Sequence, residues 1–309
     1  MTTPSVTSIA VSRELAGKST DWRGIVFGLL LVGSLVATLA VLMAILASQL
    51  AVGWPVYAER GLEFVTASLS PDPAKAGIGQ ALVGSIVIGL LVALICFPLG
   101  IVTAVYIEEY APSNRLTNFI NVNIRNLAGV PSIVYGLLGL TVFVAFFDAL
   151  GFQNNGRNII AGALTLTALI LPIVIITSAE ALRAVPRSLR EGGYGVGASR
   201  WQVTRKLVLP AAGPGILTGT ILALARALGE TAPLLLAGAI LGTFTTSGGL
   251  ANILTGPYTV LPVTVYDWSR RPQEAFRELT AAAIIALLVL TLFFNAMAIL
   301  LRNRFQKSW

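Results

Sequence analysis

Two side chains of opposite charge stand one helical turn apart inside an apolar stretch: Arg226 and Glu230, in the run Arg226-Ala-Leu-Gly-Glu-Thr-Ala-Pro233. A charge at mid-bilayer costs about 2.5–3.5 kcal/mol on insertion scales, so such residues must face water, a ligand or each other. The Arg226 guanidinium offers a planar fork of donors that fits two oxygens of an oxyanion. The Glu230 carboxylate would orient that fork and accept a hydrogen bond from a ligand that carries a proton. Phosphate keeps a hydroxyl near neutral pH and sulfate does not, so a carboxylate acceptor favours phosphate. Thr231 completes the candidate pathway set. The competing reading is that the two charges neutralise each other at i,i+4 spacing and only brace the bundle.

The element that must position them is read as a helix over 213–238. Gly215, Gly219, Ala223, Ala227 and Thr231 recur every fourth residue, a stripe of small side chains for close helix contact. Arg226 and Glu230 lie on the adjoining stripe, at the edge between a packed interface and a pore. Pro233 cannot donate to the carbonyl of Gly229 and clashes with it, so the helix should loosen at the level of Glu230. A loosened backbone beside charges is a way to build a substrate site within a membrane.

Composition places that helix in a bilayer. The 309 residues are 55% hydrophobic and 11% charged, with mean hydropathy +0.81, against an average charged share of about 25%. Spans are expected near 25–50, 81–107, 127–148, 159–179, 213–238 and 279–301, each close to the roughly 20 residues a crossing needs. The fold class is therefore all-α, one polytopic bundle over 25–301 with tails at 1–24 and 302–309. Pro131 suits a first helical turn, while Pro98 and Pro172 should kink the second and fourth spans. The first apolar run exceeds a secretory core of about 7–15 residues and reads as a retained helix.

Several chemistries drop out. No histidine is present and Cys96 is the one cysteine, which removes a histidine-dependent metal site, proton relay or triad and any intrachain disulfide. Gly17-Lys18-Ser19-Thr20 resembles the end of a phosphate-binding loop, but Ser12 stands where the first glycine belongs and no strand leads in. No cofactor, metal or nucleotide site is expected within the chain. The net charge of +7 lacks the interleaved exposed aromatics of a nucleic-acid surface. With six spans, fourteen lysines and arginines fall on the side of the termini and of the 180–212 loop, and six on the other. Both ends and that loop are thus expected to be cytoplasmic.

The 180–212 loop has its own pattern. Gly197 follows Glu191 by six positions, nine residues separate Gly197 from Leu207, and Leu209-Pro210 closes the unit. This resembles the cytoplasmic loop by which ABC importer permeases dock into their ATPase. Pro186 can open a helix, and Ser199 can cap a second one beginning near Arg200. Trp201 and Leu207 are too large and apolar to idle on a solvated loop. The resemblance assigns docking to Glu191, Gly197, Arg200, Trp201, Leu207 and Pro210. Gly192 and Gly193 depart from it, standing where the family usually has two alanines. Each such exchange costs about 1 kcal/mol of helix propensity.

Further motifs extend the resemblance over nearly the whole chain. Gly129-Val-Pro-Ser-Ile-Val-Tyr135, Gly229-Glu-Thr-Ala-Pro-Leu234, Tyr258-Thr-Val-Leu-Pro262 and Leu301-Arg-Asn-Arg-Phe305 look like the A-type permease subunit of the bacterial phosphate ABC importer. The resemblance implies a type I importer permease fold in the bacterial cytoplasmic membrane and a second permease of the same superfamily. It also implies two copies of an ATPase, which would hold the ATP and magnesium, and an external phosphate-binding protein. Arg226 and Glu230 become the intramembrane charges that serve phosphate passage. Sulfate or molybdate permeases carry a similar Gly-Glu element and are the rivals within this class. A membrane enzyme would cluster polar residues at one depth on several spans, and a scaffold would need no docking loop.

Overall fold

The computed structural model describes residues 22–152, 154–239 and 253–305. The chain divides into two units, 1–49 and 50–309. The long first helix, α1 (Trp22–Thr66), begins in the first and ends in the second. Within the first unit it exposes Phe27, Leu30, Leu35 and Met43 alike. Apolar side chains around the whole circumference are what a lipid-facing helix requires.

In the second unit the helix runs well past residue 50, where the first span was expected to stop. Burial is the reason. The Tyr57 hydroxyl donates to the Ala282 carbonyl at 2.7 Å, and Phe64 is fully buried beside Trp268. This packing outweighs Pro55 and the nearby charges Glu59, Arg60 and Glu63, which locally favour a stop. At Gly61 the backbone takes φ 51° and the helix is kinked.

The remaining elements follow in order. Helix α2 (Gly79–Val105) ends in a π-helical turn, Tyr106–Tyr110. Helix α3 (Arg115–Ala128) was not anticipated; Asn114 caps it by accepting from the Thr117 N–H at 2.9 Å. Helix α4 (Ser132–Ala149) contains a π-helical stretch at Gly139–Val144. Helix α5 (Ile159–Arg183) is capped by Asn158, which accepts from the Ala161 N–H. Next come α6 (Arg187–Gly195), α7 (Arg200–Leu228), α8 (Ala232–Leu236), α9 (Leu261–Ser269) and α10 (Glu274–Phe305).

Among the described residues six helices are long and apolar enough to cross a membrane: α1, α2, α4, α5, α7 and α10. The six expected spans are therefore present, with shifted ends. The third starts at Ser132 instead of 127, because α3 occupies the preceding residues and Pro131 is the extended residue just before the helix, not part of its first turn. Helices α2 and α5 both continue beyond Pro98 and Pro172.

Helix α5 is the hub. In its most apolar window 67% of residues are buried, more than in any other span among the described residues. Small side chains let its neighbours approach. Gly100 of α2 lies against Val174, and Gly219 of α7 lies so close to Thr177 that an added methyl would collide with it. Of the expected stripe, Gly219, Ala223 and Ala227 are buried, whereas Gly215 is exposed although it lies against Ala181.

Candidate functional site: a helix break and a basic connector

The fifth span does not run from 213 to 238. Helix α7 stops at Leu228, and a separate short helix resumes at Ala232. The loosening expected at Glu230 is thus a full interruption, and Thr231 leaves the small-residue stripe to precede α8. Gly229 contributes little helix propensity and Pro233 withholds the N–H that would bond back to it. The backbone tightens instead: the Glu230 N–H donates to the Ala227 carbonyl at 3.2 Å. Two sequence motifs meet at this point, since Gly136 of α4 packs against Pro233 and Leu236.

Arg226 and Glu230 straddle the break. The Arg226 Nε lies 3.5 Å from the Glu230 Oε1, with the arginine side chain 58% exposed and the glutamate 18%. A hydrogen-bonded guanidinium–carboxylate pair sits nearer 2.7–2.9 Å, so this contact is loose. Among the described residues the guanidinium makes no other polar contact, and its two Nη atoms are unengaged. Thr231 is half-buried beside them. The described residues supply no cluster of three metal-ligating side chains here or elsewhere.

The 180–212 loop is a folded connector. Helix α6 begins at Arg187, with Pro186 as the extended residue before it; the proline precedes the first turn and does not occupy it. Gly197 takes φ 80°, a left-handed conformation that reverses the chain at little cost only for glycine. Its N–H bonds to the Tyr194 carbonyl, and that of Ala198 to Gly193. Ser199 then caps α7 in a reciprocal box: its N–H donates to the Gln202 side chain at 2.8 Å while its Oγ accepts from the Gln202 N–H. A π-helical turn at Thr204–Val208 precedes Pro210, which has no N–H to offer Lys206.

Exposure sorts the docking candidates. Glu191, Gly197, Arg200, Trp201 and Pro210 are all exposed, Trp201 by 55%. Beside them Val196 is 85% exposed and Tyr194 is exposed as well. Leu207 is different: it packs inward and, with Pro186, Ser188, Leu189 and Ala211, lines a cleft of about 460 Å³. Gly193 is buried beneath it; a methyl there would stand 2.8 Å from Val203 and 2.9 Å from Leu207. Gly192 has open space. One glycine of the pair thus has a packing reason, and the other has none in this chain.

Sequence reasoning missed the residues that hold this connector. Arg183 Nε donates to Glu108 Oε2 at 2.9 Å, and its Nη2 to the other carboxylate oxygen. Arg190 Nη2 donates to Glu109 Oε1 at 2.7 Å and to the Leu182 carbonyl, while Nη1 reaches the Val185 carbonyl. The Arg200 guanidinium lies 5.1 Å over the Tyr110 ring. The available signal was two adjacent carboxylates at the end of an apolar run, on the side where arginines crowd.

Known proteins resemble this chain in sequence and in fold. Residues 96–307 match the family described as the binding-protein-dependent transport system inner membrane component. A probable ABC transporter permease protein of Bacillus subtilis, YqgH, is 38% identical over 63% of this chain and 65% of its own length. The chain thus spans just under two thirds of that relative. The phosphate transport system permease protein PstA 1 of Mycobacterium tuberculosis is 34% identical over 81% of this chain and 76% of its own. A bacterial alginate ABC transporter, solved with an alginate-bound periplasmic protein, superposes with TM-score 0.60 at 17% identity, covering 93% of this chain and 99% of that one. The chain belongs to the family of binding-protein-dependent inner membrane transport components, with the type I ABC importer permease fold. Within that family it is of the PstA type, a multi-pass transport subunit of the inner membrane.

Proposed function

We propose that this chain forms one half of the pathway by which an ATP-driven importer moves inorganic phosphate. Its other half is a second permease of the same superfamily. Two ATPase subunits bind and hydrolyse ATP at the basic end, which is cytoplasmic and carries both termini, and a phosphate-binding protein delivers substrate to the opposite face. The observation that supports phosphate passage is the interrupted α7, where a largely exposed guanidinium keeps two nitrogens unengaged beside a carboxylate. As phosphate passes, Arg226 grips two of its oxygens and Glu230 accepts from its hydroxyl. The connector docks on the ATPase through Glu191, Gly197, Arg200, Trp201 and Pro210. Leu207 shapes it from within.

Uptake into proteoliposomes holding the full complex tests the pathway. Arg226→Gln should abolish phosphate uptake while the complex assembles and the binding protein still binds phosphate. The double variant Arg226→Gln, Glu230→Gln should stay inactive. Recovery toward normal uptake in the double variant would sink this reading in favour of bracing, because removing both charges relieves a stranded one. Uptake of sulfate or molybdate in place of phosphate by the unaltered complex would move the assignment to another oxyanion.

A further inference from the structure

We propose that the turn Tyr106–Tyr110 at the end of α2 is a positioning clamp, fixing the connector so that movement of the bundle and ATP hydrolysis stay coupled. The proposal rests on the docking role of the connector given above. Successive residues of a π-helical turn point in different directions around its axis. Glu108, Glu109 and Tyr110 therefore fan out, and each takes a different element. Glu108 holds Arg183 at the end of α5, Glu109 holds Arg190 in α6, and Tyr110 carries Arg200 at the start of α7. One short turn of α2 thus meets both sides of the connector and its root.

The middle contact is the fulcrum. Glu109 is 5% exposed and Arg190 20%. Arg190 also closes on the carbonyls of Leu182 and Val185 where α5 ends, joining the Val185 N–H as a second donor to Leu182. The guanidinium therefore ties three segments with one rigid fork, a task an ammonium on a flexible stem would not perform. A buried ion pair is a poor source of net stability compared with apolar packing, so its presence here calls for a reason of geometry. Tyr110 adds a second indication. Its hydroxyl is buried without a partner among the described residues, which leaves the ring face under Arg200 as its polar contribution.

The experiment uses the full complex in proteoliposomes and reads phosphate moved per ATP hydrolysed, beside assembly and total hydrolysis. Glu109→Gln keeps shape and loses charge; transport per ATP should fall about tenfold, the scale of one lost buried ionic contact, with assembly and total hydrolysis retained. Arg190→Lys should fall similarly, since charge alone does not restore the three-way tie. Tyr110→Leu should lower the ratio, whereas Tyr110→Phe, which keeps the ring, should restore it. An unchanged ratio in Glu109→Gln and Tyr110→Leu, with the ATPase still bound, overturns the clamp and leaves docking intact. Absence of the ATPase from the unaltered purified complex overturns docking itself.

Discussion

Of the arginine–glutamate pairs among the described residues, two are of opposite character. Arg226 and Glu230 share one broken helix, meet at 3.5 Å and leave the guanidinium mostly open. Arg190 and Glu109 come from segments 81 residues apart and meet at 2.7 Å, with the carboxylate buried and the arginine partly so, and two backbone carbonyls take two further donors. The same two functional groups are satisfied in the second case and unsatisfied in the first. An arginine whose donors are mostly taken by its own protein has little left to give a ligand, whereas one held loosely over a helix break has more. Charge at a site says little until its donors are counted.

The contrast can be broken experimentally. The largest expected effect is on stability: Arg190→Ala strands a buried carboxylate and should cost about 3–5 kcal/mol, read as a strong drop in the melting temperature of the purified complex. Arg226→Ala, at an exposed and loosely paired position, should leave that temperature nearly unchanged. A matching loss at both sites would erase the distinction. Arg226→Lys is the next test. It should retain assembly but lower phosphate uptake by roughly tenfold, because one ammonium cannot reproduce a two-pronged grip. Glu230→Gln should be milder still, since an amide oxygen also accepts a hydrogen bond; an effect larger than that of Arg226→Lys would reverse the assigned roles.

Two glycines sharpen the picture at the connector. Gly197→Ala forces a side chain into φ 80° and should cost about 1–2 kcal/mol, seen as reduced ATPase co-purification without loss of insertion. The smallest effect belongs to Gly192→Ala, which meets open space and should stabilise α6 by about 1 kcal/mol. The same change at Gly193 presses on Val203 and Leu207 and should not stabilise. Equal gains at both positions in a thermal-shift assay would refute the packing explanation for Gly193.

What the sequence made legible was local. Apolar run length gave six spans, Pro233 after Gly229 gave a loosening where the helix in fact breaks, and Ser199 before a helical run gave the cap of α7. The errors were of two kinds. Pro131 and Pro186 each stand one residue outside their helices, because an extended proline can precede a first turn as readily as begin it. Helix α1 runs on to Thr66 and α7 begins as early as Arg200, since the packing that holds those segments comes from residues distant in sequence. The clamp was illegible for the same reason: nothing near Glu109 announces Arg190. The N-terminal Gly17-Lys18-Ser19-Thr20 and residues 240–252 lie outside the described residues.

The buried Glu109 also bears on how the chain is made. Its partner is translated 81 residues later, after the ribosome has delivered α3, α4 and α5. Until then a carboxylate waits at the bilayer edge without a counter-charge. Should α4 and α5 insert in the wrong sense, Arg190 would emerge across the membrane and the acid would stay orphaned.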